Sequence, residues 1–354
     1  MFGIKKRKVL IWSAIINLIV FSSCGEASSN KNSFYEIHGE TQGTTYTVIL
    51  DDENQSIQKK ELDSIFYTFD LSLSTYVKPS VISRLNFSKD SIVIVDETSF
   101  FKRCYLESQQ VYTLTDGDFD PSVFPLVKGW GFMSRVDSPL TKDEVDSILN
   151  FVSFKENELH SVQFVGDTIL FQKSNPGFKI DFNAIAQGLS VDVVDEYLKE
   201  KGFQNYYIEI GGELLVRGHN KDGVDWRIGI DTPKENLESR EIENVLSVSN
   251  IAIATSGNYR KFYVKDGVKY SHTLDPVSGF PVQHSLLSVT VASENCQSAD
   301  AYATAFMVMG KDKALNFVKN NPLLNLEIYL LYADEKGEIQ RLMSDGFSKY
   351  IAEE

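Results

Sequence analysis

The chain has 354 residues, 42% hydrophobic, 12% aromatic and 24% charged, with 22 Gly and only 9 Pro; this balance excludes a disordered, collagen-like or low-complexity protein. Its 35 Lys and Arg stand against 49 Asp and Glu, a net charge of −14. A surface of that sign repels nucleic-acid phosphate, so no nucleic-acid partner is expected.

The N-terminus reads as a targeting segment. Lys5, Lys6, Arg7 and Lys8 precede the apolar run VLIWSAIINLIVF, which has the length of a signal-peptide core and falls short of the ~20 apolar residues of a spanning helix. The run closes on Ser22-Ser23-Cys24-Gly25 and resembles a bacterial lipoprotein signal, with Phe21 where Leu is usual. The expectation is therefore a signal peptide over 1–23, lipidation of Cys24, a flexible tether over 24–34 and a folded domain over 35–354. An uncleaved anchor is the alternative, and both place the rest of the chain outside the cytoplasm. Loss of residues 1–23 removes four cations and no acid, leaving −18. The two other cysteines, Cys104 and Cys296, show no metal-site spacing and read as small buried hydrophobes.

From Tyr35 onward no Pro/Ser/Gly linker divides the chain, so one domain is expected. TTYTVIL (44–50) is β-branched and aromatic, as a strand requires. In 56–70, Ile57, Leu62, Ile65, Phe66 and Phe69 share a helical face. Helices are expected over 98–115 and over 141–150, the latter with Thr141 and Glu144 as a capping box, and a hairpin is expected around Gly166-Asp167. Residues 179–182 read as a short strand feeding a helix over 183–200 that Gly202 stops. Strands follow at 205–210, 225–230, 245–255 and 286–293, then helices at 298–309 and 312–319, and finally LEIYLLYA and EIQRLM around the turn 334–337. Strands in runs, without strict βαβ alternation, indicate α+β with a substantially antiparallel sheet.

Four stretches carry possible chemistry. Lys179-Ile-Asp-Phe-Asn-Ala-Ile-Ala-Gln-Gly188 lets a ligand approach backbone through small residues, and the first N–H groups of the helix it opens suit phosphate. Asp181 would stand beside them, although Asp is also a common cap. Gly211-Gly212 permits positive φ and equally makes a plain turn. Thr255-Ser256-Gly257-Asn258-Tyr259-Arg260 ends an apolar strand, and Ser271-His272 precedes the turn Asp275-Pro-Val-Ser-Gly279. His272 titrates near neutrality and can act as a general base; a lone histidine is also often structural. Asp300 and Thr304, four apart, offer a carboxylate and a hydroxyl to one hard cation, while the helix dipole explains an early Asp equally well.

In order and wording these pieces resemble one family, the FAD:protein FMN transferases of the ApbE type. The resemblance spans about 35–345 and rests on Gln42-Gly43-Thr44-Thr45-Tyr46, Leu73-Ser74-Thr75-Tyr76 with Ser83-Arg84-Leu85-Asn86, Gly117-Asp118-Phe119-Asp120-Pro121 through Val127 with Trp130-Gly131-Phe132, and the stretches above. Departures are Gln42 for Met, Phe182-Asn183 for Leu-Gly or Leu-Ser, Gln187 for Lys or Glu, Glu213 for Asp, and Asn258 for Asp. The resemblance implies transfer of FMN from FAD to a Ser or Thr hydroxyl of an acceptor protein, with AMP released and Mg²⁺ bound. It implies Asp300, Thr304 and the Ala184 carbonyl as metal ligands. Gln42, Tyr76, Asp118, Phe119, Asp120, Asp181, Gln187 and Leu274 would line the FAD site, and His272 is the expected base. The implied partner is a subunit of a membrane redox pump carrying a Ser/Thr flavinylation motif, and the implied location is the periplasmic side of the inner membrane. FAD hydrolysis and non-catalytic flavin binding are the alternative functions.

Overall fold

The sequence alternation from Phe34 onward is realised as an antiparallel framework in a computed structural model that describes residues 34–132, 139–234, 241–258, 262–265 and 268–353. The signal, Cys24 and the tether up to residue 33 lie outside the described residues, as do Tyr259 and Arg260. β1 (Phe34–Thr41) and β2 (Thr44–Asp51) form a hairpin, followed by α1 (Lys59–Leu73), α2 (Val81–Phe87), β3 (Ser91–Val95), α3 (Phe100–Leu114), α4 (Phe124–Gly129) and α5 (Lys142–Leu149). The hairpin β4 (His160–Val165) and β5 (Thr168–Lys173) leads to α6 (Ala186–Glu200), and β6 (Tyr206–Ile210) and β7 (Glu213–Arg217) make the next hairpin. Then come β8 (Trp226–Asp231), β9 (Ile242–Val248), β10 (Ile251–Gly257), β11 (Phe262–Lys265), β12 (Val268–Ser271) and β13 (Leu286–Ser293). The chain closes with α7 (Cys296–Met309), α8 (Lys311–Asn320), β14 (Glu327–Ala333) and β15 (Ile339–Met343).

The main sheet has the order β1-β2-β6-β7-β10-β13-β14-β15 and is antiparallel at every pairing. Side-chain period two divides its residues between two cores. Tyr206, Ile208, Ile210 and Leu215 face the helical side, with Val191, Val194 and Leu198 of α6. Leu214, Val216, Ile251, Ile253 and Leu331 face a layer built from Trp226, Leu246 and Phe347. A separate three-stranded sheet, β3-β5-β4, lies beside α3. This is the α+β, antiparallel, one-domain architecture expected from the sequence, with Cys104 and Cys296 both fully buried.

Two expectations are corrected. The stretch 245–255 is two strands, because Asn250 turns left-handed at φ 54°; β9 pairs with β8 as a ribbon while β10 enters the main sheet. Residues 179–182 are not a strand, because the Asn86 side chain stands in for a neighbouring strand. Its Nδ2 donates to the Ile180 carbonyl at 2.7 Å and its Oδ1 accepts from the Ile180 N–H at 2.8 Å. The helix then begins at Ala186 rather than 183, since the Asp181 carboxylate captures the Asn183 N–H at 2.8 Å and bends the chain into a turn.

Candidate functional site

One end of the main sheet gathers most of the polar motifs. The β1–β2 turn is Gln42-Gly43, both with positive φ, and the β6–β7 turn is Gly211-Gly212, again both positive; two-residue hairpin loops of this kind need that geometry. The Gly211 N–H donates to the Thr45 carbonyl at 3.1 Å, which brings the two turns together. A side chain at Gly211 would place its Cβ 2.3 Å from Gln187 Nε2, so α6 starts against this turn. Ser190 of α6 donates its hydroxyl proton to the Gln187 carbonyl at 2.7 Å and lies 3.5 Å from Gln42 Oε1. Gln42 and Gln187 are therefore neighbours, and the Gln42 Nε2 is buried without a partner.

α7 crosses α6 at the same end. A Cβ at Gly188 would lie 2.3 Å from the Cys296 carbonyl oxygen and 2.8 Å from Asp300 Cβ, so the two backbones approach as closely as only glycine allows. Asn295, not Asp300, caps α7, accepting from the Ser298 N–H at 2.8 Å. Asp300 instead reaches across to α6, where its Oδ2 accepts from the Gly188 N–H at 3.0 Å. In a continuing helix that N–H would bond the Ala184 carbonyl, which accepts no backbone N–H among the described residues. Asp300 is buried, and burial pushes its pKa up, helped by the charge of Asp192. Asp192 is itself held by the N–H groups of Cys296 and Gln297, at 2.8 Å each. Thr304 shares the face of Asp300, and its hydroxyl lies 3.4 Å from that of Ser256 at the end of β10.

The loop that carries His272 is tied to this end through the residue that follows it. Asn258 lies just beyond β10, and its Oδ1 accepts from the Thr273 hydroxyl at 2.5 Å, which ties the residue after His272 close to Ser256 and Thr304. Asp275 is occupied by its own turn, accepting from the Val277 N–H at 2.9 Å and the Ser278 hydroxyl at 2.7 Å. The turn is also pinned from outside, because the Trp130 indole donates to the Gly279 carbonyl at 2.8 Å. Leu274 is buried with Leu126, Trp130 and Val145.

Of the remaining expected residues, those of the 118–120 segment form a second group around Asp181. The Asp181 N–H donates to the Pro121 carbonyl at 2.8 Å, which joins the 118–121 segment to the turn before α6. Burial pushes Asp181 up to about 6, offset by the Asn183 backbone and side-chain donors. Asp120 is also raised to about 6 by burial, with its carboxylate closed onto the Ser122 N–H and hydroxyl and the Phe154 N–H. Phe119 lies in the core; Asp118 is half-buried and raised by desolvation. Tyr76 is 74% exposed in the loop between α1 and α2, and among the described residues no hydrogen bond or ring contact joins it to either group. Ala184, three residues after Asp181, links the two groups along the chain. Sequence reasoning quoted Gly188 and Ser256 within motifs without giving them a role, and passed over Ser190 and Asp192, which lie beyond the quoted 179–188 run and carry no signal of their own.

The donor set at Asp300 suits a hard cation with few protein ligands. It offers a buried carboxylate with one hydrogen-bond donor and, among the described residues, no ion-pair partner, a hydroxyl on the same helix face, and a carbonyl outside the helical ladder. No group of three or more His, Cys, Asp or Glu with metal-binding geometry occurs among the described residues, so a site of the all-carboxylate or His/Cys type is not what these residues build.

Solved structures similar to this chain include flavin transferases. The flavin transferase ApbE of Vibrio cholerae superposes with a TM-score of 0.78 at 31% identity, over 90% of this chain and 99% of that one. The apo flavinyl transferase ApbE of Pseudomonas stutzeri gives 0.77 at 28%, over 90% and 96%. Among curated proteins, the FAD:protein FMN transferase of Vibrio cholerae is 32% identical over 88% of this chain and 90% of its own length; that of Haemophilus influenzae is 31% identical over 91% and 93%. The model described as the ApbE family matches residues 42–330, and the chain belongs to that family.

Proposed function

We propose that this protein is an FAD:protein FMN transferase that passes FMN from FAD to a Ser or Thr hydroxyl of an acceptor protein and releases AMP. The observation that carries the reading is the joining of Asp300 on α7 to Gly188 at the start of α6, with Thr304, Gln42 and Gln187 at the same sheet end. In the reaction the acceptor oxygen attacks the FMN phosphorus, the bond to the bridging oxygen breaks, and AMP leaves with that oxygen. His272 takes the hydroxyl proton, which an alcohol otherwise retains at neutral pH. Asp300, Thr304 and the Ala184 carbonyl would hold Mg²⁺, which when bound offsets negative charge on the diphosphate. Gln42, Gln187, Asp181 and the 118–120 segment would orient FAD, with Tyr76 offering an aromatic face and Leu274 an apolar wall.

Lipidation at Cys24 would tether the domain to the periplasmic face of the inner membrane, within reach of a redox-pump acceptor. The anchor in this reading is the lipid on Cys24; no helix among the described residues, which exclude the N-terminal apolar run, is long and apolar enough to cross a membrane. The test is incubation of the domain with FAD, Mg²⁺ and a candidate acceptor, followed by intact mass. A gain of one FMN less one water, with AMP in equal amount, supports transfer; AMP and free FMN with an unchanged acceptor would establish FAD hydrolysis instead.

A further inference from the structure

The start of α6 has no side-chain cap of its own, and one of its first N–H groups, that of Gly188, donates to Asp300 of α7. The start of α7 is closed only in part by Asn295, which takes the Ser298 N–H. The N–H groups of Cys296 and Gln297 are left over, and each donates to a different oxygen of Asp192 on α6, at 2.8 Å. Each helix therefore lends a buried carboxylate to the positive first turn of the other. Gly188 and Asp192 share one face of α6, and Cys296 and Asp300 share one face of α7, so the two exchanges flank the close approach of Gly188 to the Cys296 carbonyl. The carboxylates differ in what they leave open. Both oxygens of Asp192 are engaged by backbone, whereas Asp300 uses only Oδ2, and its Oδ1 accepts no hydrogen bond among the described residues.

Resting on the flavin-transfer reading, we propose that Asp192 is a positioning residue: by holding the first turn of α7 against α6 it sets where Asp300 and Thr304 stand relative to the Ala184 carbonyl, and it touches neither metal nor FAD. The three groups that would hold the cation come from two elements. Asp300 and Thr304 ride on α7, and Ala184 lies just before α6, so a slip of one helix past the other separates them. A cation with few protein ligands tolerates such a slip poorly, because no spare ligand takes over. Asp192 has no oxygen left for the metal itself, and its two backbone bonds fix α7 both along and across α6.

The experiment cuts this link from either helix. Asp192→Asn keeps the volume but replaces one accepting oxygen with an NH2 group that faces an N–H donor, so one bond is lost. Cys296→Pro removes the N–H that Asp192 Oδ1 accepts; proline suits the first helical position, and Asn295 already has the extended backbone, φ −132° and ψ 153°, of a residue before proline. Asn295→Ala is the control, since it weakens the start of α7 without touching the link to α6. The readout is the EPR signal of free Mn²⁺ during titration of each protein with FAD present and acceptor absent, beside a thermal melt and a separate flavinylation assay. Asp192→Asn and Cys296→Pro should each weaken Mn²⁺ binding at least ~10-fold with the number of bound ions unchanged, and Asn295→Ala should stay within about threefold although its melting temperature falls. If Asp192→Asn fails to unfold cooperatively, the Cys296→Pro titration decides. Equal weakening in Asn295→Ala would reduce Asp192 to a helix cap and overturn the proposal. Wild-type Mn²⁺ affinity in either link variant would overturn it too, as would fewer ions bound by Asp192→Asn, which would make Asp192 a ligand. A wild type that shows this dependence on Asp192 yet flavinylates no acceptor would sustain the proposal and count against flavin transfer.

Discussion

Gly188→Ala isolates the α6–α7 crossing. The added methyl would sit 2.3 Å from the Cys296 carbonyl oxygen and 2.7 Å from its carbon, where ordinary contact begins near 3.4 Å, so the helices must part by roughly 1 Å. Alanine favours the helix by ~1 kcal/mol over glycine, while overpacking a close-packed interior costs ~1–3 kcal/mol. The net loss is therefore at most about 2 kcal/mol, which lowers the melting temperature by only a few degrees in a domain of this size. Catalysis should suffer more, because Asp300 bonds Gly188 and a displacement of ~1 Å in a positioned group costs about 100-fold in rate. The assay pairs a thermal melt with the rate of acceptor flavinylation at saturating FAD. A variant within threefold of wild-type rate, with its melt shifted by less than a degree, would refute the claim that this crossing positions Asp300.

Asp300→Asn should abolish Mg²⁺-stimulated activity while the urea midpoint holds or rises, since a neutral amide relieves a buried carboxylate; loss of cooperative unfolding would make Asp300 structural instead. His160 is buried, stacked on Phe178 at 4.6 Å, and lowered by burial to about 4. Its folded value lies below the unfolded ~6.5, so stability is full above pH 6.5 and falls by about 3 kcal/mol as pH drops towards 4. Asp120 and Asp181, raised to about 6, act in the opposite sense, so the sensitive comparison is wild type against His160→Phe. The stability difference between them should shrink by about 3 kcal/mol from pH 7 to pH 4 in urea titrations, and a pH-independent difference would contradict the burial argument. Cys24→Ser should release the protein from the membrane fraction, because several acyl chains anchor far better than one; equal partitioning of wild type and variant would exclude the lipid anchor.

The elements legible in the sequence are those whose period and punctuation agree. The Thr141/Glu144 capping box closes as expected, with Thr141 Oγ1 and Glu144 bonded in both directions, and the Gly166 hairpin forms between β4 and β5. Failure came where a side chain substituted for backbone. Asn86 imitates a strand beside Ile180 through a contact 94 residues apart that no local pattern encodes, and Asp181 delays the start of α6 by a local bond to the Asn183 N–H that competes with the helical period. The chain break at Asn250 was hidden because apolar residues on both sides of it are buried, in different sheets. At the site, the Asp300/Thr304 spacing indicated one helix face, yet that Asp300 does not cap its own helix needed Asn295 and Gly188, which only the fold brings into view.

The central claim, transfer to a hydroxyl with His272 as base, is tested most directly by a single-turnover experiment that follows AMP and acceptor-bound flavin together. Wild type should form both at one rate and in equal amounts, and His272→Ala should slow both by at least ~100-fold while binding FAD with near-normal affinity. AMP appearing without acceptor-bound flavin, or a His272→Ala rate within a few-fold of wild type, would contradict the account.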